Sequence, residues 1–302
     1  MTECERFIKE GIFQKAFFDE EWRSEFLVSK DRKKIWSVEL DLLSQFDWVC
    51  KKYGLTYFLF VGSLLGAVRH KGFVPWDDDI DLAMPRADYE KMLTLSNEFS
   101  EPYFLQSPWT DPGYYYSFAK LRNSRTSFVS KQFRYEKFNQ GIMIDFHPID
   151  VWCPDENGEA IYLEISHLAY DNSTYMRRLN PELSESDLQR VREYNGTDPL
   201  VACNKMRELG MSFVGKASDY VCRNTIGVYG YRRNLFRAED FASTLEWEFE
   251  DRKVPIPVGY DSILKNLYGD YMHLPPVEKR GQWHSFAIVD PDRPYTCYLK
   301  TR

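Results

Sequence analysis

The residues with the most chemistry to offer lie in the run Asp79-Ile80-Asp81-Leu82-Ala83-Met84, where carboxylates alternate with apolar side chains ahead of Pro85. On an extended strand successive side chains leave opposite faces, so Asp79 and Asp81 are expected to project together while Ile80 and Leu82 enter the core. Like charges held that close repel. A hard divalent cation, Mg2+ or Mn2+, would relieve the repulsion and keep coordination positions open for substrate phosphate. Upstream, the apolar residues 57–61 meet Gly62-Ser63, and residues 64–68 continue as a helix-like segment ending in Arg69. Backbone N–H groups at a helix start can hold phosphate oxygens, with Gly62 permitting close approach, so Gly62, Ser63 and Arg69 are candidate substrate-binding residues. A third acid, Asp145, ends the apolar run Gly-Ile-Met-Ile-Asp. Delivered by a neighbouring strand, it would complete metal coordination or take the proton of an attacking hydroxyl. A lone D-x-D often marks no more than a solvated strand edge or turn. An EF-hand reading beginning at Asp77 fails, because its sixth and twelfth positions are Leu82 and Asp88 instead of Gly and Glu.

The stretch GSLLGAVRHKGFVPWDDDIDLAMPRADY, running on from Gly62, resembles the signature of the LicD family. GIMIDFHPID and FEDRKVPIPVGYDSILKNLYGDYMHLPP resemble that family's second acidic strand and its C-terminal signature. The family comprises phosphotransferases on a nucleotidyltransferase-like fold, bacterial phosphorylcholine transferases and animal fukutin-related proteins among them. The resemblance implies transfer of a phosphorylated alcohol, phosphocholine first, from a CDP-linked donor such as CDP-choline to a hydroxyl of a cell-surface glycan or glycolipid. It implies metal ligation by Asp79, Asp81 and Asp145. His147 stands where the family pattern has an apolar residue and reads as a structural histidine. Two rival readings stay open: a nucleotidyltransferase that releases pyrophosphate, and a non-catalytic nucleotide-binding protein.

Charged side chains elsewhere extend the candidate set. Lys120 and Arg122 share a face if their segment is a strand, and could meet phosphate or serve as salt-bridge partners. Glu250 is a candidate acid near the clamp, and Arg280 and His284, after the LPP turn, could reach a nucleotide phosphate. The run WTDPGYYY, beginning at Trp109, could recognise a quaternary ammonium through aromatic faces, or simply fill core.

The elements that must position these residues read as an α/β fold, a nucleotidyltransferase-like mixed-sheet core with flanking helices. An apolar stripe of Ile35, Val38, Leu42, Phe46 and Val49 predicts a helix over 33–53 that Gly54 ends. Strands are expected at 55–61, Tyr103–Gln106, 114–122, 126–129, 141–145, Thr244–Phe249 and 254–258, with helices over 85–99 and Tyr260–Tyr268. Residues 159–223 read as helical with a break at Asn195-Gly196. The expected organisation is one domain over 1–302, with the core at 30–152, a helical insertion at 155–240 and a C-terminal family segment at 241–302.

Composition limits the alternatives. The chain has 302 residues, 43% hydrophobic and 28% charged, which is ordinary globular composition. A net charge of −7 argues against nucleic acid as a partner. The six cysteines form no C-x-x-C pair, which favours a reducing compartment over a disulfide framework. The N-terminal acids do not fit an export signal, and the longest apolar run, about 12 residues, falls short of the ~20 needed to span a bilayer. A cytoplasmic protein is therefore expected, with room for peripheral attachment at the inner face of the membrane.

Overall fold

The computed structural model describes residues 2–194, 196–224, 230–281 and 286–300. The chain opens with helix α1 (Glu3–Lys9) and the hairpin β1 (Glu21–Arg23) and β2 (Phe26–Val28). Helix α2 (Lys30–Tyr53) follows, capped by the Ser29 hydroxyl and closed by Gly54 in the left-handed conformation, φ 66°. Its predicted stripe is buried from Ile35 to Val49. Next come β3 (Phe58–Leu59), α3 (Val61–His70), β4 (Asp81–Pro85), α4 (Arg86–Leu93), β5 (Tyr103–Gln106), β6 (Ala119–Asn123), β7 (Ser127–Ser130) and the long β8 (Ile142–Val151). Three helices, α5 (Glu156–Met176), α6 (Glu185–Arg192) and α7 (Pro199–Gly210), lead into β9 (Tyr220–Cys222), the short α8 (Gly230–Arg233) and β10 (Leu235–Arg237). The hairpin of β11 (Thr244–Phe249) and β12 (Arg252–Pro257), helix α9 (Tyr260–Tyr268) and β13 (Phe286–Asp290) complete the order.

Strand β8 is the spine of a mixed α/β fold. Its first half pairs antiparallel with β6, its middle pairs parallel with β4, and its last residues pair antiparallel with β9. The sheet runs β10-β9-β8-β4-β3, with β5 outside β6. It curls. Phe58 of β3 lies 5.5 Å from Phe241, and Phe60 lies 5.6 Å from Phe236 of β10, so the two ends of the strand order meet around an aromatic seam. Residues 155–240 thus carry helices and also two strands that complete this sheet.

The two faces of β8 differ in kind. Phe146 faces Phe46 of α2 at 5.1 Å and Tyr89 of α4 at 5.6 Å, so both helices cover that side. Alternation then puts Asp145, His147 and Ile149 on the opposite side.

Local differences from the expected elements have identifiable causes. The strand expected over 55–61 is only Phe58–Leu59, because Val61 takes φ 45° and turns the chain directly into α3. Gly62 and Ser63 therefore sit inside the first helical turn, not in a turn before it. The strand expected over 114–122 begins at Ala119, since Tyr114 and Tyr116 are held in a separate aromatic cluster with Phe133 and Phe138. The acidic strand starts at Asp81, which leaves Asp79 in the connector before it. The helix after Pro85 ends at Leu93 instead of reaching residue 99.

Candidate metal and phosphoryl-transfer site

Backbone pairing assembles the centre. The parallel ladder of β4 and β8 sets Asp81 beside Asp145 and Ala83 beside His147, while the antiparallel ladder of β6 and β8 sets Lys120 on the other side of Asp145. Directly paired residues project from one face, so Asp81, Asp145, His147 and Lys120 converge. One ligand atom each from Asp81, Asp145 and His147 lie within 4.8 Å of one another. His147 Nε2 is 3.3 Å from Asp81 Oδ1. The Lys120 ammonium donates to both Asp145 oxygens at 2.6 Å. Burial lowers the Lys120 pKa from its ordinary value, against the opposing pull of Asp145. The ring of Phe118 lies 4.4 Å from the His147 imidazole and 5.1 Å from the Lys120 ammonium. Ser63 contributes through the backbone: its hydroxyl accepts from the Asp81 N–H at 2.9 Å and so fixes the start of β4.

A second acidic group adjoins the first. Asp77, Asp78 and Asp79 also place ligand atoms within 4.8 Å of one another. They lie in the connector between α3 and β4, and α2 holds them there. The Asp77 carbonyl accepts from Trp36 Nε1 at 3.1 Å and from the Arg32 guanidinium. Gly62 leaves room at this contact, since a Cβ there would lie 2.7 Å from Asp77 Oδ2 and the carboxylate would have to shift. The anion packed against the start of α3 is therefore Asp77. Burial first, then the carboxylates of Asp81, Asp77, Asp145 and Asp78, push the Asp79 pKa well above the usual range. Beneath the cluster, Glu39 of α2 is buried with neither oxygen hydrogen-bonded. Burial, with Asp78 and Asp77 adding to it, raises its pKa well above the ordinary value.

This surplus of close carboxylates, with one imidazole, fits a divalent cation on the chemistry of its donors. Lys120, seated across both Asp145 oxygens, already supplies one positive group there.

The remaining candidates fall elsewhere. Arg69, at the far end of α3, donates to the Tyr271 carbonyl at 2.7 Å and to His70. Arg122 shares its strand with Lys120 but is buried, donating to Gln106 and to the Gly141 carbonyl. Glu250 pairs with Arg23 and accepts the Phe73 N–H at 3.1 Å, tying the β11–β12 turn to the loop that leads to Asp77. Arg280 donates to the carbonyls of Pro275 and Ser24. His284 lies outside the described residues. The aromatics of the 109–116 run divide among several neighbours, with Tyr114 and Tyr116 packed together at 5.4 Å. Trp109 meets Asn204 and Arg207 of α7, Tyr115 packs on Tyr175, and Tyr114 bonds to the Phe118 carbonyl. Trp109 and Tyr116 border one small cavity, but Arg86 and Arg207 line it too, and two guanidinium groups there disfavour an ammonium ion. Asp78, Arg32, Trp36 and Glu39 join the site without being expected there, and His147, which reads from sequence as a structural histidine, stands within it. The unbroken Asp77-Asp78-Asp79 run was the signal available for the first of these.

Comparison with known proteins adds to this geometry. Residues 54–178 match the LicD/FKTN/FKRP nucleotidyltransferase domain, a span that contains Asp77 to Asp81, Lys120, Asp145 and His147. The chain is 27% identical over 259 residues to the lipopolysaccharide cholinephosphotransferase LicD of Haemophilus influenzae, covering 81% of this chain and 92% of the relative. Shorter similarities join it to uncharacterized proteins of Rickettsia typhi (31% over 83 residues, 26% of this chain and 27% of the relative) and Rickettsia prowazekii (36% over 50 residues, 17% and 19%). Among the described residues no helix is long and apolar enough to cross a membrane.

Proposed function

We propose that this chain, which carries a LicD-family domain over residues 54–178 and is a transferase, moves phosphocholine from CDP-choline to a hydroxyl of a cell-surface glycan. The observation that carries the reading is the parallel register of β4 and β8, which puts Asp81 and Asp145 side by side. Similarity to a cholinephosphotransferase along most of both chains supports the choice of transferred group.

In this reading the acceptor oxygen bonds to the phosphorus that bears choline. The bond from that phosphorus to the bridging oxygen of the diphosphate breaks, and CMP departs. The hydroxyl proton passes to a carboxylate of the cluster. A divalent ion held by the aspartates, Mg2+ or Mn2+, supplies Lewis-acid polarisation and counter-charge for the diphosphate. Asp81, fixed by Ser63, and Asp145, fixed by Lys120, hold their carboxylates in place before substrate arrives. Because Lys120 occupies both Asp145 oxygens, Asp145 is better placed as an anchor than as the base. A cytoplasmic location, free or at the inner membrane face, goes with this reading.

The test is incubation with CDP-choline labelled in the choline methyl groups, divalent cation and glycans from the source cell. Label on the glycan with release of CMP is expected. Pyrophosphate release from CTP would instead favour nucleotidyl transfer, and nucleotide binding without either product would favour a non-catalytic role.

A further inference from the structure

We infer that His147 is a ligand of the catalytic metal ion, and that it moves the site's preference from Mg2+ toward first-row transition ions. The inference rests on the metal-dependent reading above and goes beyond it by assigning a donor and a selectivity.

Position is the first ground. His147 projects from the same sheet face as Asp81 and Asp145, and the residue paired with it, Ala83, extends only a methyl group. Its Nε2 is 3.3 Å from Asp81 Oδ1, and a donor atom from each of the three lies within 4.8 Å of the others. Ligands ~2.1 Å from one ion lie roughly 3 to 4.2 Å apart, so at most a small inward shift closes the set. Rigidity is the second ground. The imidazole is buried and lies against the Phe118 ring at 4.4 Å and 36°, which restricts its rotation. Phe118 is anchored in turn, since its carbonyl accepts the Tyr114 hydroxyl at 2.9 Å. A ligand held this way costs little ordering when the ion arrives.

Donor chemistry gives the selectivity. Carboxylate and water donors alone suit Mg2+, which dehydrates reluctantly and has little affinity for imidazole nitrogen, whereas an added imidazole favours transition ions. Mn2+ stands at the weak end of the transition-metal affinity order and is the demanding probe.

The experiment uses the full chain. Mn2+ is titrated while the electron paramagnetic resonance signal of the free ion is followed, Mg2+ is then added as competitor, and bound Mn2+ is examined by pulsed resonance for nitrogen-14 coupling. The wild-type chain should show coupling to one imidazole nitrogen. His147→Gln should abolish the coupling and weaken Mn2+ binding at least ~10-fold while changing Mg2+ affinity less than ~3-fold. Bound Mn2+ without nitrogen coupling in the wild-type chain overturns the assignment, as does coupling that persists in a folded His147→Gln protein. The wild-type spectrum decides the matter even where the variant does not fold. Asp81→Asn separates the two readings. If it abolishes Mn2+ binding while the wild-type spectrum lacks nitrogen coupling, the metal site stands and His147 is excluded from it. Absence of saturable Mn2+ binding to the wild-type chain overturns both.

Discussion

The two acidic groups are built by different means. Asp81, Asp145 and His147 stand on paired strands, where the backbone ladder sets their spacing. Asp77, Asp78 and Asp79 stand on a connector held by side chains, the Trp36 indole and the Arg32 guanidinium among them. A ladder position moves only if the sheet moves. A propped loop moves when one prop is removed. The centre therefore has a half fixed by secondary structure and a half that tertiary contacts hold, and mutations should sort the two.

The largest effect is expected at Asp81. Asp81→Asn should lower turnover at least ~10³-fold, as loss of a charge that acts directly at the reacting centre, with thermal stability kept or raised by relief of like-charge repulsion. Near wild-type turnover at saturating metal would remove the strand-borne group from the chemistry. Asp145→Asn should cost at least ~100-fold in turnover. It should also destabilise the fold by about 3–5 kcal/mol, since Lys120 is left buried without its counter-charge. Adding Lys120→Met should return most of the stability and none of the activity, and chemical denaturation beside an assay reads both.

On the propped side, Trp36→Phe keeps the stacking on Phe73 but loses the bond to the Asp77 carbonyl. Stability should fall by about 1–3 kcal/mol, and the metal concentration for half-maximal activity should rise ~10-fold. An unchanged metal requirement would mean the connector holds itself. The smallest effect is expected at Glu39. Its folded pKa is raised, so the native state binds the proton more tightly than the unfolded chain, and stability is lost as pH climbs above the ordinary value of 4.5. Glu39→Gln removes that dependence. The variant should match the wild type in acid and gain on it steadily as pH rises, and a gap in melting temperature that stays constant with pH would show that Glu39 titrates normally.

How much of this was legible depended on the range of the interaction. Helix α2 and its Gly54 stop followed from apolar spacing and a residue suited to positive φ, both local properties. The same holds for β5 and α9, whose bounds match the expected ones. Asp81 and Asp145 stood out as acids ending or interrupting apolar runs, but nothing local says that their strands pair in parallel. Lys120 read equally as a phosphate ligand or an ion-pair partner, because an ammonium looks the same in both roles. Arg280, expected to reach phosphate, instead binds backbone carbonyls, and Glu250, expected as an acid near the clamp, pairs with Arg23, 227 residues away. The role of Gly62 was hidden for a related reason, since the Asp77 carboxylate against it becomes a neighbour only after the chain folds.

The parallel pairing of β4 with β8 also bears on how the chain reaches this state. Asp81 and His147 are 66 residues apart, and closing a loop of that size costs roughly 4 kcal/mol of chain entropy before the strand contacts offset it. Pairings of such separation slow folding. The sheet is completed later still in sequence by β9 and β10, so a nascent chain that ends before residue 237 lacks that edge of it. Pairing of β4 with β8 also brings Asp81 and Asp145 together, so the step that forms the centre of the sheet is the one that concentrates negative charge. Electrostatic repulsion between these carboxylates then adds to the refolding barrier.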